Sequence, residues 1–199
     1  GAGGLAFTTN NGGTGGTLSF GPGGRATYAT AGGAGIPGQS LTIDGLGYGL
    51  LYSIADVPSM AGNLAGNYAL ARSIDGAGTA FAPVGDTGGA FTGRLNGLGQ
   101  TLSNLTINTP ARGTTGLFGA ATGATIGNLT LAGANVTGGA NTGALVGFAT
   151  DSAISGVTIS GRVAGGNTTG GLAGALIGTS TTTVAGSSIA NATSTATVT

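Results

Sequence analysis

Short apolar runs, set apart by Gly, Asn and Thr, recur along the second half of the chain at a nearly constant interval. Leu117-Phe118-Gly119 followed by Ile126-Gly127-Asn128-Leu129-Thr130-Leu131 returns as Leu145-Val146-Gly147 followed by Ile154-Ser155-Gly156-Val157-Thr158-Ile159, in register and without a gap. A third copy begins at Leu172-Ala173-Gly174 and, after an insertion of about three residues, is read to continue as Val184-Ala185-Gly186-Ser187-Ser188-Ile189. Leu102-Ser103-Asn104-Leu105-Thr106-Ile107 reads as an earlier partial copy of the stretch from Ile126 to Leu131. Leu117, Leu145 and Leu172 set the period, 145 − 117 = 28 and then 172 − 145 = 27. Repeats of roughly 20 to 50 residues mark solenoids and propellers, and a propeller blade takes about 40 or more, so a solenoid coil fits.

Within a repeat, Leu129-Thr130-Leu131 and Val157-Thr158-Ile159 alternate strictly, which sends the aliphatic side chains to one face of a strand and Thr to the other. Each repeat holds three apolar stretches, Leu117-Phe118, then Ile126/Leu129/Leu131, then Val136. The fold expected is therefore all-β, a parallel β-helix with three strands and three corners per coil. Gly119, Gly147, Gly174, Gly127 and Asn128 are read as corner or close-approach positions, because a tight corner needs positive φ, which Gly adopts freely and Asn more readily than most. Coils stack about 4.8 Å apart, so seven of them would make a rod about 35 Å long.

The first hundred residues are less regular. Thr17-Leu18-Ser19-Phe20, Arg25-Ala26-Thr27-Tyr28 and Ser40-Leu41-Thr42-Ile43 alternate like strands between Gly-rich turns. Asp56, ahead of Val57-Pro58, predicts an N-cap and at most one short helix within 57–65. Strand resumes over Tyr68–Ile74. The chain divides into Gly-rich strands over 1–40, read as first coils, irregular coils over 41–115 and regular coils over 116–199.

Composition narrows the function. Of 199 residues 46 are Gly and only 5% are charged, so the core must be thin and built of small side chains. Five Arg balance five Asp, with no Lys, Glu, His or Cys. That leaves no electrostatic footprint for nucleic acid or an anionic membrane, and no disulfide or thiolate metal site. No apolar run approaches the roughly 20 residues of a membrane span, and the start at Gly1-Ala2-Gly3-Gly4 lacks a signal-peptide pattern, so if the protein is exported its signal is expected to have been removed or to lie outside this stretch.

An ordered series of motifs carries a family resemblance. Gly49-Leu50-Leu51-Tyr52-Ser53-Ile54-Ala55-Asp56, Gly66-Asn67-Tyr68-Ala69-Leu70, Ser73-Ile74-Asp75, Phe81-Ala82-Pro83-Val84-Gly85, Phe91-Thr92-Gly93, Leu95-Asn96-Gly97-Leu98-Gly99-Gln100-Thr101-Leu102-Ser103-Asn104-Leu105-Thr106-Ile107 and Gly116-Leu117-Phe118-Gly119 together resemble the filamentous-haemagglutinin-type bacterial exoproteins. The repeats that follow resemble GLUG repeats. The resemblance covers about residues 40–178 and implies a right-handed parallel β-helix, extracellular or cell-surface location, and export through an outer-membrane pore by two-partner secretion or an autotransporter route. It also implies adhesion, aggregation or biofilm as the role; from the composition, no cofactor and no membrane insertion are expected. The partners it points to are neighbouring coils, further copies of the chain, or a host, bacterial or glycan surface.

Catalysis has few residues to work with. Without His or Cys, Ser/His and Cys/His nucleophiles are impossible. A β-helical polysaccharide hydrolase or lyase would need two carboxylates about 5 to 9.5 Å apart. The candidates are Asp44, Asp56, Asp75, Asp86 and Asp151, with Asp75 and Asp86 near enough in sequence to meet and Arg72 or Arg94 nearby for an anion. Asp75-Gly76 and Asp86-Thr87-Gly88 are also ordinary turn sequences, which is the preferred reading, and no catalytic or metal residue is assigned. The calcium-solenoid nonapeptide is absent, and Gly12-Gly13-Thr14-Gly15-Gly16 has no following Gly-Lys to make a phosphate cradle. Thr193-Ser194-Thr195-Ala196-Thr197-Val198-Thr199 places Thr on one strand face, a pattern that could also serve ice or crystal-surface binding. Asn104, Asn128, Asn135, Asn167 and Asn191 each begin an Asn-x-Thr triplet that formally matches a glycosylation acceptor.

Overall fold

A computed structural model of the chain describes residues 3–9, 16–86, 89–178 and 186–199. Val184 and Ala185, residues 12–15 and the Thr87-Gly88 turn lie outside the described residues. The architecture is a parallel β-solenoid of about four turns.

Strand β1 (Gly4–Phe7), the short pair β2 (Thr30–Ala31) and β3 (Ala34–Gly35), and β4 (Ser40–Ile43) precede the coils. The coils begin with β5 (Leu46–Leu51) and continue through β6 (Asn67–Leu70), β7 (Ile74–Asp75), β8 (Arg94–Ser103) and β9 (Thr106–Asn108). The regular repeats comprise β10 (Thr114–Thr115), β11 (Phe118–Thr122) and β12 (Thr125–Thr137), then β13 (Asn141–Gly143), β14 (Val146–Thr150) and β15 (Ala153–Ala164). The last strands are β16 (Thr168–Gly170), β17 (Ala173–Ile177), β18 (Ser188–Ala190), β19 (Thr193–Ser194) and β20 (Thr197–Val198). Three parallel stacks result: β5-β6-β8-β12-β15-β18, β10-β13-β16 and β11-β14-β17.

The repeat stacks as its spacing requires. Thr125 pairs with Ala153, Ile126 with Ile154 and Phe118 with Val146, each at the interval that separates Leu117 from Leu145 in the sequence. Inward side chains form continuous columns: Leu117, Leu145 and Leu172 on one side, and on another Ile126 over Ile154, Leu129 over Val157 and Leu131 over Ile159, all buried. Below them Phe91 and Phe118 stack with ring centroids 4.5 Å apart. Gly119, Gly147 and Gly174 are not corners. They lie where backbone crosses backbone: a Cβ on Gly147 would sit 2.5 Å from the Thr115 amide nitrogen, and one on Gly174 2.6 Å from the Gly147 carbonyl oxygen.

Of the positions read as corners, Asn128 makes one. Asn128 (φ 54°), Gly156 (φ 61°) and Asn191 (φ 50°) occupy one corner on successive coils, since Ser155 pairs with Ala190. Gly123 (φ 62°) and Asp151 (φ 49°) form a second. The first of these bends falls inside β12 and β15, which therefore turn without breaking their ladder, and the second separates β11 from β12 and β14 from β15.

Two expected alignments change. Leu102 pairs with Leu131 and Ile107 with Val136, so the partial copy at 102–107 stacks one corner beyond the stretch it resembles in sequence. Ile154 pairs with Ile189, whereas the interval of 27 that separates Leu145 from Leu172 would bring residue 181 to that place, so the last connection is longer by eight rather than three. The coil count also falls below seven, because the first forty residues follow a different plan. β4 and β5 run antiparallel through the Asp44-Gly45 turn, and β2 and β3 form a small antiparallel hairpin.

Thr17–Phe20 and Arg25–Tyr28 alternate as the sequence indicates, yet they join no ladder. Their contacts explain why. The Leu18 carbonyl accepts from Asn128, the Ala26 amide donates to Leu98 and the Tyr28 amide donates to Ala71, residues of three successive coils. This segment therefore runs along the solenoid axis, across the strands, where no neighbouring backbone is parallel to it. Its apolar side chains, with Leu41 and Ile43, bury Ala69, Ala71 and Leu98 on the outer face in a second small core.

The short helix is a 3-10 turn over Val57–Gly62, with Val57 and Met60 buried under the coils. Asp56 does not cap it. Its carboxylate turns back to accept from the amides of Tyr52 and Ser53, both at 2.9 Å, closing the preceding turn instead.

Candidate functional site

The outer face of the stacked sheet carries one regular chemical feature. Thr101, Thr130, Thr158 and Thr193 pair in register and point outward as a column of hydroxyls on four coils. The neighbouring column is mixed: Thr106, Asn135, Arg162 and Thr197. An unbroken Thr array across two columns is thus absent from the described face, and Thr195 is tied to the Ile159 carbonyl.

The axial segment overhangs this face and makes a groove of about 740 Å³ between Thr17–Gly24 and the coils. Its floor is the Asn128/Gly156/Asn191 corner and the hydroxyls of Thr130 and Thr158; Leu18 and Phe20 stand in the overhanging wall. Asn128 holds the wall in place, donating 2.8 Å to the Leu18 carbonyl. A smaller hollow of about 310 Å³ adjoins it, lined in part by Asp44, Tyr48 and Arg94.

The five carboxylates do not converge. Asp44 accepts from the amide and hydroxyl of Thr9, both at 2.7 Å, and these bonds hold its carboxyl below the ordinary range. Asp75 accepts 2.9 Å from Asn104 and 3.0 Å from the Ala77 amide, with the same effect on its acidity. Asp86 is ion-paired with Arg112 at 2.6 Å, while Arg72 and Arg94 reach Thr30 and Thr125. Asp56 closes its turn, and Asp151 sits at a corner. Among the described residues no group of His, Cys, Asp or Glu could hold a metal ion, and no helix is long and apolar enough to cross a membrane.

No protein-family model matches the chain, and no solved structure does. The chain is similar to Halomucin of Haloquadratum walsbyi (strain DSM 16790 / HBSQ001). Identity is 36% over 164 residues, 76% of this chain but 2% of Halomucin, so the chain spans about a fiftieth of the relative it matches.

Sequence reading identified the inward columns and missed two polar sets. Thr115 and Thr142 are wholly buried, Thr169 partly, and all three follow one another in register. A Thr-Gly pair recurring once per coil, at Thr115, Thr142 and Thr169, was the available signal. The groove had none, because its wall starts at Thr17 and its floor reaches Asn191, near opposite ends of the chain.

Proposed function

We propose that this chain is a stretch of a secreted surface protein in which the solenoid acts as a structural and adhesive scaffold rather than as an enzyme. The observation that supports this most is the unbroken stacking of the repeat: Leu117, Leu145 and Leu172 and, beside them, Ile126 over Ile154, Leu129 over Val157 and Leu131 over Ile159 form buried columns joined by parallel ladders. Coils that stack in this way build a rod whose core is inert and whose outer face is open to other surfaces. The solenoid fold and the likeness to Halomucin are compatible with a structural surface protein, and the hydrogen bonding of Asp44, Asp56 and Asp75 to backbone amides and polar side chains favours a non-catalytic reading. Adhesion, aggregation or biofilm formation, as in the exoproteins the sequence resembles, is the role that follows.

Negative-stain electron microscopy across a concentration series tests this, together with fractionation of producing cells. Rods that lengthen into filaments, or single rods retained at the cell surface, are expected. Purely intracellular protein would overturn the reading, as would cleavage of a glycan panel that disappears in Asp75→Ala or Asp86→Ala.

A further inference from the structure

We propose that the groove between Thr17–Gly24 and the outer sheet face binds an uncharged polysaccharide, with Thr130, Ser155, Thr158 and Asn191 supplying hydrogen bonds and Phe20 an apolar surface. This rests on the surface-protein reading above and names the chemistry of the ligand.

Four observations converge. The groove's volume, about 740 Å³, falls within the range of ligand sites, roughly 300 to 1,000 Å³. Second, none of its lining residues is ionisable, so nothing in it selects a phosphate, a sulfate or an ammonium group. Arg94 belongs to the adjoining hollow, and Arg25, which follows the wall residue Gly24, is not among the lining residues. Third, the side chains of Thr130, Ser155, Thr158 and Asn191 have no hydrogen-bond partner among the described residues, and three of the four are exposed, so donors and acceptors are free for a solute. Asn128, by contrast, is spent on holding the wall. Fourth, the hydroxyls of Thr130 and Thr158 stand on successive coils, about 4.8 Å apart along the axis, with Ser155 and Asn191 beside them.

A ligand complementary to that surface is linear, repeats its hydroxyls along its length, and carries no charge. It also has apolar C–H faces to lie against Leu18 and Phe20. Neutral polysaccharide meets all of these requirements. A peptide meets the geometry less well, since the floor exposes side-chain hydroxyls and not a free sheet edge for strand addition.

The test uses the whole chain with three soluble neutral polysaccharides (dextran, amylose and mannan) and dextran sulfate as the charged counterpart of the first. Binding is measured by calorimetry. We expect at least one neutral polymer to bind, with an affinity that is unchanged between about 0.1 and 1 M salt, where the screening length falls from about 10 to 3 Å. Thr158→Val combined with Asn191→Gly, which keeps the left-handed corner, should weaken it about tenfold or more. Val keeps the β-branched shape of Thr, and an unchanged circular dichroism spectrum confirms that the variant folds. No binding by any of the three neutral polymers at millimolar saccharide overturns the proposal, as does binding that the double variant leaves intact, or binding of dextran sulfate alone that salt abolishes. Retention of the chain at the cell surface, measured in parallel, separates the outcomes: retention without glycan binding removes the groove assignment and leaves the scaffold reading standing.

Discussion

Asn128 and Gly156 stack at the same corner of successive coils, both in the left-handed region, with φ of 54° and 61°. The left-handed conformation costs an ordinary L-residue roughly 1 to 2 kcal/mol, while Gly is free of that cost and Asn is reduced in it. Gly156→Val should therefore lose at least about 2 kcal/mol of unfolding free energy, and Gly156→Asn less than half as much, since Asn191 already occupies this corner one coil on. Urea titration of the two variants checks the order. Equal losses would mean that the corner tolerates any side chain.

Gly147 tests a different kind of glycine. Its φ is unremarkable, but an added Cβ would lie 2.5 Å from the Thr115 nitrogen and 2.8 Å from the Gly119 carbonyl oxygen, both backbone atoms. Backbone cannot swing aside as a side chain does, so Gly147→Ala should cost about 3 kcal/mol or more, or abolish folding. Gly123→Ala, with open space around the missing Cβ, should show only the conformational cost, about 1 to 2 kcal/mol.

The stacked pair of Phe91 and Phe118 provides the bulkiest side chains of the core. Phe118→Ala should destabilise by about 3 to 5 kcal/mol, and Ile159→Val by about 0.5 to 1.5 kcal/mol, the cost following the volume removed. Thermal unfolding followed by circular dichroism would measure both. A small effect for Phe118→Ala would mean that the neighbouring coils collapse into the space.

Gln100 is buried and bridges the coils to the axial segment: it donates 2.6 Å to the Ala26 carbonyl and 2.7 Å to Thr27 Oγ, and accepts 2.9 Å from Ser73 Oγ. Gln100→Leu leaves those groups unpaired, a loss of about 1 to 3 kcal/mol. The segment around residues 17–31 should then become the first site cut in limited proteolysis while the coils persist. The groove wall belongs to this segment, so the same variant should weaken any glycan bound there.

Stability should be flat across neutral pH, because no His or Cys is present to titrate. At the acid end, Asp44 and Asp75 have carboxyls whose acidity the native hydrogen bonds increase. A folded pKa below the unfolded one gives stabilisation that is present above the unfolded value, near 4, and is lost as pH falls through the folded value. At the alkaline end, burial raises the Tyr28 and Tyr48 hydroxyls, so their contribution is present below about pH 10 and is lost as pH rises through their folded values. Asp44→Asn and Asp75→Asn should both flatten the acid limb in a series of urea titrations, leaving the alkaline limb unchanged.

The amino-acid order alone determined the repeat length, the inward columns and the all-β class. Strict alternation of aliphatic and Thr residues has period 2, and a column can form only if like residues recur at the length of a coil. The short turn at Val57–Gly62 was legible for the same kind of local reason, a Pro following Asp56 and Val57. Tertiary structure alone decided three things. The crossing of backbones made Gly147 a close-approach position rather than a corner, which depends on Thr115 and Gly119 from the coil before. The full length of the connection before β18 was not legible, because pairing of Ile154 with Ile189 is chosen by the core below, whereas local similarity aligns Val184 there. The axial segment found its seat on Ala69, Ala71 and Leu98 through contacts far apart in the chain, and the groove exists only because that seat does. Local periodicity specifies a coil; what lies across several coils depends on surfaces that no single repeat contains.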